Sequence, residues 1–535
     1  MEKSPNGSPP PGLRAVEATS MEPLESVQTN DGRPACFSST FQEVLFVLTA
    51  TMAIAMQAML AGSVTVASSF IGRDLDMTTA EITWISSASS LSSGAFLLFF
   101  GKLADLFGRK ILFVGSLILF SVFALAAGFA RSGMSLDILS GIMGLMSASG
   151  VPPAVGILGV VYEKPSKRKN YAFACFSAGN PLGFIFGTIF GGIATNLFGW
   201  RASFWLIAII FLVTTFIGIW TIPKDFTAKE PVNMETLKRF DVLGTVFIIF
   251  GIGMFSAALS LGETAPQGWT TGYVLALLIV GLALMIAFVV WDCWFKYPLV
   301  PMGIWKDRNF TLCLCILMLG FMAFVPGNFF AALFFQRVWH MSALEVAVHL
   351  LPMAVMGIIV NIVAGLILHR VSNKLIMLVA KLSYTSSFLL IAFNKTDSSY
   401  WSFYFPSFIL LVMGADLEFN QSIAGGIFQT VAKLCTTLGF GITTAIFSSV
   451  QRDPRLASYW DPTTQPYTAT FWFSVACSVA GLMLVPFLTL GTQGGKEKEV
   501  RVTTSESEAV EDGQIVDERK AEVEATVAQA LPTVG

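Results

Sequence analysis

Gly101-Lys102-Leu103-Ala104-Asp105-Leu106-Phe107-Gly108-Arg109-Lys110 lies between two apolar runs, 82–100 and 111–130, each long enough to cross a bilayer. The stretch predicts a tight cytoplasmic turn between two transmembrane helices. Glycines at both ends allow the backbone to reverse. The basic residues belong on the cytosolic side, and Asp105 is placed to accept hydrogen bonds from helix ends or to pair with a cation.

The chain is 54% hydrophobic and only 13% charged over 535 residues. That is more apolar surface than a globular domain can hide, so the bilayer is the expected solvent and a soluble enzyme is excluded. The net charge of -2 is uninformative, because the charges gather in the tails and a few loops. Residues 1–40 hold no apolar core of the signal-peptide kind, so the first span is expected to direct insertion. Cys175, Cys313, Cys315, Cys435 and Cys477 sit within apolar runs without metal-ligand or disulfide spacing, and read as small packing residues.

Fourteen runs reach spanning length: 44–68, 82–100, 111–130, 135–161, 171–196, 202–222, 241–262, 270–291, 309–335, 344–368, 375–393, 401–424, 426–450 and 469–490. With both termini cytoplasmic, the inner loops hold sixteen basic residues: Lys102, Arg109, Lys110, Lys164, Lys167, Arg168, Lys169, Lys224, Lys229, Lys238, Arg239, Lys296, Lys306, Arg308, Arg370 and Lys374. The outer loops then hold seven: Arg73, Arg131, Arg201, Arg337, Lys395, Arg452 and Arg455. The positive-inside rule favours this orientation. Residues 1–42, with Pro and Ser clusters, and 492–535, with dense mixed charge, are expected to be disordered cytoplasmic tails. Thr503-Thr504-Ser505-Glu506-Ser507-Glu508 reads as a solvated acidic tail or a phosphorylation run, and Asn394-Lys395-Thr396 is a glycosylation sequon in a short outer loop.

Gly365-Leu366-Ile367-Leu368-His369-Arg370-Val371-Ser372-Asn373-Lys374 aligns with 101–110 without gaps, with His369 opposite Asp105 and Ser372 opposite Gly108. The first copy follows span 2 and the second follows span 10. This predicts an all-α membrane protein of two six-helix bundles, 43–222 and 309–491, joined by 223–308 with two inserted transmembrane helices. Duplicated halves of this kind carry substrate at their interface near the midplane.

The turn at 101–110, the glycine and proline pattern of span 5 and the fourteen-span plan resemble the major facilitator superfamily, and within it the fungal branch of the fourteen-span drug:proton antiporters. Phe335-Gln336, Ser342-Ala343-Leu344 and Leu351-Pro352 extend the likeness, which covers roughly 43–491. The resemblance implies a major facilitator fold, no cofactor, and efflux of a small apolar compound such as a drug, toxin or secondary metabolite against protons. It implies that Gly101, Asp105, Gly108, Arg109 and Lys110 form a conformational lock, with Asp105 and Arg109 holding the outward-open state. It also makes the span 5 face an antiporter motif that controls leak. The chain departs from the family pattern in three places: Leu106 stands for a second arginine, Asp137 for an arginine early in span 4, and Gln57 for a carboxylate in span 1.

On the residues themselves, Gly179, Gly183, Gly187 and Gly191 recur every four positions and share one helix face, with Asn180-Pro181 beside it. Such a face permits backbone-to-backbone helix packing, and Pro181 suits a bend. Charged side chains in spans cost about 2.5–3.5 kcal/mol each on insertion scales and are functional candidates by default. They are Asp416, Glu418 and Lys433, with Asp137 and Lys381 nearer span ends. Counting about 1.5 Å per residue puts Glu418 and Lys433 at similar depth, within reach of a pair that either moves protons or anchors spans 12 and 13. His349 is a secondary titratable candidate, and Met52, Met56 and Met59 in span 1 suit either core packing or a pliable apolar surface. The aromatic density of span 9, from Phe321 to Phe335, suits a cavity lining or a lipid face.

No Gly-x4-Gly-Lys-Ser/Thr loop, metal spacing or nucleophile elbow occurs, so energy is expected from a gradient and no enzyme or nucleic-acid partner is expected. The alternatives are uptake or facilitated transport of a small polar solute or ion, and a non-transporting sensor or scaffold. The plasma membrane is the expected location, with the vacuolar membrane as alternative.

Overall fold

A computed structural model describes residues 33–34, 36–163, 166–223, 241–262, 265–296, 298, 302–367, 371–395, 398–422, 426–452 and 463–489. The acidic run at 503–508, Thr396 of the sequon, and most of both tails lie outside the described residues.

All fourteen expected spans are helices. In chain order they are α1 (Thr40–Asp74), α2 (Thr79–Phe107), α3 (Arg109–Ala127), α4 (Gly133–Val161), α5 (Lys167–Phe198), α6 (Trp200–Thr221) and α7 (Val242–Leu261). The remainder are α8 (Gly272–Trp294), α9 (Arg308–Arg337), α10 (Ala343–Ile367), α11 (Asn373–Ala392), α12 (Tyr400–Ser422), α13 (Gly426–Arg452) and α14 (Gln465–Leu484). Each is long and apolar enough to cross a membrane. Several start where polar caps dictate: Ser39 accepts from the Gln42 amide, Thr78 and Glu81 form a capping box, and Asp307 accepts from Asn309 and Phe310.

The quoted stretch is tighter than a loop. α2 continues through Phe107 and α3 begins at Arg109, so Gly108 alone makes the turn, at φ 100°. Gly101 stays helical and turns nothing, correcting the expectation of glycines reversing the chain at both ends. Gly199, at φ 86°, repeats the one-residue device between α5 and α6.

Helix contacts repeat with a displacement of eight. α1 packs on α5 as α9 packs on α13, α2 on α4 as α10 on α12, and α3 on α6 as α11 on α14. Between the bundles, α2 meets α13 and α10 meets α5, the same contact with the halves exchanged. The α7–α8 pair is tied at its base by Asp241, whose carboxylate accepts from the Gly244 amide at 2.7 Å and from the Trp291 indole at 2.9 Å. α7 rests on both α2 and α13, with Ser256 Oγ donating to the Thr437 carbonyl at 3.0 Å, while α8 turns most of its surface outward. Near the start of α1, Glu43 accepts from Tyr162 and pairs with Arg168, and burial beside that carboxylate pushes the Tyr162 phenol up from its ordinary value.

Candidate functional site

A cavity of about 190 Å³ lies where α1, α2 and α5 face α9, α10, α12 and α13. Its walls are largely apolar, including Phe184, Phe321, Phe324, Met353 and Phe440. Into them project Gln57, Asn180, Asn328, Asp416, Gln429 and Lys433. Gln57 exchanges hydrogen bonds with Ser89 at 3.0 and 3.1 Å, so its amide is held against α2 beside the cavity. Asp416 Oδ2 accepts from Asn361 Nδ2 at 2.9 Å, and the same amide donates to the Gly357 carbonyl at 2.8 Å. Asn328 is 5% exposed, and its Oδ1 has no hydrogen-bond partner among the described residues.

Lys433 and Glu418 do not pair. Lys381 Nζ donates instead to Glu418 Oε2 at 2.8 Å and to the Ile316 carbonyl at 3.0 Å, and lies 5.0 Å from the Tyr384 ring centre. Both charged side chains are buried, and Gly320 and Gly481 leave the space they occupy. Similar depth does not bring the two together, because α12 packs on α11 and α10 rather than on α13. Lys381 is therefore an interior charge, not a span-end one. Lys433 remains in the cavity, where its ammonium has no hydrogen-bond or ion-pair partner among the described residues.

Most of the other candidates lie away from the cavity. Gly179, Gly183, Gly187 and Gly191 press on α1, where an added Cβ would meet Thr51 O, Ala55 Cα, Met59 O and Ser63 Oγ, all within 3.0 Å. That contact fixes α5 so that Asn180 and Pro181 face the cavity. Arg109 donates to the Gly156 carbonyl at 2.9 Å and Lys110 to the carbonyls of Ile219 and Ile222, cations set against helix C-termini. The Asp105 side chain lies outside the described residues. Asp137 has a buried Oδ1 without a described partner, away from the cavity lining. His349 Nδ1 bonds the Glu345 carbonyl at 2.8 Å and its ring meets Tyr400 at 4.4 Å, which places it in packing. Met56 and Met59 are buried in the core. Phe321 and Phe324 line the cavity, whereas Phe329, Phe330, Phe334 and Phe335 are buried among Phe440, Phe447, Tyr404 and Tyr467, in the core and not on the lipid face that was the other expectation. Asn394 is buried and donates to the Tyr404 hydroxyl at 3.2 Å, a poor position for a glycan.

Gln336, which the sequence marked only as part of a family-like run and not as a site, joins the two bundles. From the last turn of α9 it reaches α1: Oε1 accepts from the Ser69 amide at 2.8 Å and from Ser68 Oγ at 3.3 Å, and Nε2 donates to the carbonyls of Thr65 at 3.0 Å and Val66 at 3.2 Å. Arg337 adds a bond to Thr79 at 2.8 Å, and Thr83 meets Thr444 at 3.0 Å. These contacts clasp the two bundles at the end opposite the Gly108 turn. An amide inside so apolar a helix was the available signal. Gln336→Leu removes all four of its bonds, each worth about 1 kcal/mol net, so a thiol-reactive probe should label Ser69→Cys, in an otherwise cysteine-free chain, at least about tenfold faster. Unchanged labelling would mean that the clasp does not hold this end shut.

The family model of the Major Facilitator Superfamily matches residues 46–451. The chain belongs to that superfamily. Among its relatives are the low affinity ammonium transporter of Saccharomyces cerevisiae, 29% identical with 71% of this chain and 76% of that protein covered, and the efflux pump terJ of Aspergillus terreus, 26% identical with 77% and 80% covered. The crystal structure of a variant of the nucleoside transporter NupG superposes with a TM-score of 0.54 at 13% identity, covering 83% of this chain and all of that one, which shows a shared fold. The cavity of this superfamily member thus lies between the two bundles, walled by helices of each.

Proposed function

We propose that the protein is a proton-coupled exporter of a small organic compound with a largely apolar body, working by alternating access with both termini in the cytosol. One observation carries the reading: a mainly apolar cavity between the bundles contains the Asp416 carboxylate, a group able to take and release a proton beside the substrate. Fungal relatives named as efflux pumps support the direction. In this reading residues 43–222 and 309–491 rock about the cavity, 223–308 joins them, and Asp105 with Arg109 holds the outward-open state. The membrane is the plasma membrane. A potential of 100 mV supplies about 2.3 kcal/mol per proton moved, enough for a useful gradient.

The test is accumulation of a panel of lipophilic drugs and metabolites in cells overproducing the protein. Lower accumulation of at least one compound, abolished by a protonophore, is expected, and Asp416→Asn at normal abundance should lose that concentrative export. Unchanged accumulation across the panel overturns the reading. It would favour transport of a small polar solute, the alternative suggested by the relative named as an ammonium transporter.

A further inference from the structure

The two charges in the cavity are not equally satisfied. Asp416 has an amide donor in Asn361, whereas Lys433, on the facing helix α13, has no acceptor among the described residues. A lysine carried into a span costs several kcal/mol unless something compensates it, and no static ion pair does so among the described residues. The base of its side chain is set closely against α2, since a Cβ on Gly94 would lie 3.0 Å from Lys433 Cβ. Across the same space Asn328 Oδ1, almost fully buried, is also without a described partner, but as an acceptor it holds no anion. Around them stand the rings of Phe184, Phe321, Phe324 and Phe440.

We infer that the cavity binds an organic monoanion, a weak acid on an aromatic body, with the acid group on Lys433 and the body against the four phenylalanines. The inference rests on the exporter reading and narrows its substrate class. A charge-assisted hydrogen bond in a desolvated site is stronger than a neutral one, so the acid is favoured over its uncharged isostere. Asp416 limits the ligand to a single negative charge, because a second would face a carboxylate held only by the neutral Asn361 amide. A simple inorganic anion would leave the aromatic walls empty, which gives selectivity for the larger body.

Three probes sharing one body test this: 2-naphthoate, its methyl ester and 2-naphthylmethylammonium, each titrated calorimetrically into the purified full-length protein in lipid nanodiscs. The acid should bind at least about tenfold more tightly than either of the others. Lys433→Met should reduce the acid to the level of the ester, Lys433→Arg should retain the preference, and Asp416→Asn should strengthen acid binding several-fold. Equal or tighter binding of the ester, preference for the amine, or an acid preference that survives Lys433→Met overturns the inference. So does absence of acid binding. Export of neutral compounds in the cellular assay, with no preference for the acid here, would remove this inference while leaving the exporter reading in place. Export of neither kind would remove both.

Discussion

Gly187→Val should all but eliminate the folded protein. A Cβ at this position would lie 2.2 Å from the Met59 carbonyl oxygen and 2.9 Å from Met59 Cα, both backbone atoms that no rotamer change can clear. The contact is met from the other side too, since a Cβ on Gly62 would lie 2.4 Å from the Phe184 carbonyl. Ser63 Oγ donates to the Gly187 carbonyl at 2.9 Å, so separating α1 from α5 also breaks a buried bond. Overpacking costs about 1–3 kcal/mol in soluble cores, and rigid backbone on both sides puts this site at the upper end or beyond. Detergent-solubilised, fluorescently tagged protein run on size exclusion should show monodisperse material reduced at least about tenfold. Gly115→Ala and Gly159→Ala, where an added Cβ meets nothing within 4 Å, are the controls and should run like the parent. A normal peak for Gly187→Val would mean that the α1–α5 contact is looser than its geometry.

The second large effect concerns the ion pair inside the second bundle. Glu418→Gln leaves Lys381, wholly buried, without its counter-charge, and Lys381→Met strands Glu418 in the same way. Breaking a buried pair by removing one member costs about 3–5 kcal/mol, whereas replacing both by apolar groups of similar volume is often neutral. Each single variant should therefore show a markedly lower melting temperature in nanodiscs, and Lys381→Met combined with Glu418→Leu should recover most of it. Singles that melt like the parent would show that the pair contributes no net stability. A recovered double variant that no longer transports would assign the pair a part in the cycle as well as in folding.

Much of the architecture was readable in one dimension because the bilayer imposes a length and a polarity on every span. The fourteen runs, the turn at Gly108 and the repeat at 365–374 are local patterns of that kind. The cavity was half readable. Gln57, Pro181, Asp416 and Lys433 announced themselves as polar groups or helix breaks in apolar runs, and they do converge. Which charge meets which depends on the order in which helices pack, and neighbours in sequence are not always neighbours in the bundle. Glu418 found Lys381 through the α11–α12 contact, and no count along the chain reveals that. The contact made by Gln336 was not legible in the run that holds it for a related reason: three of its four partners are backbone atoms of α1, and backbone leaves no mark in the pattern of side chains.

The placement of α7 gives the molecule unequal flanks. Two seams separate the bundles, α2 against α13 and α5 against α10. The inserted hairpin shutters the first, and among the described residues no further helix covers the second. The two seams thus differ in what lies over them, which gives a protein built from two similar halves a front and a back.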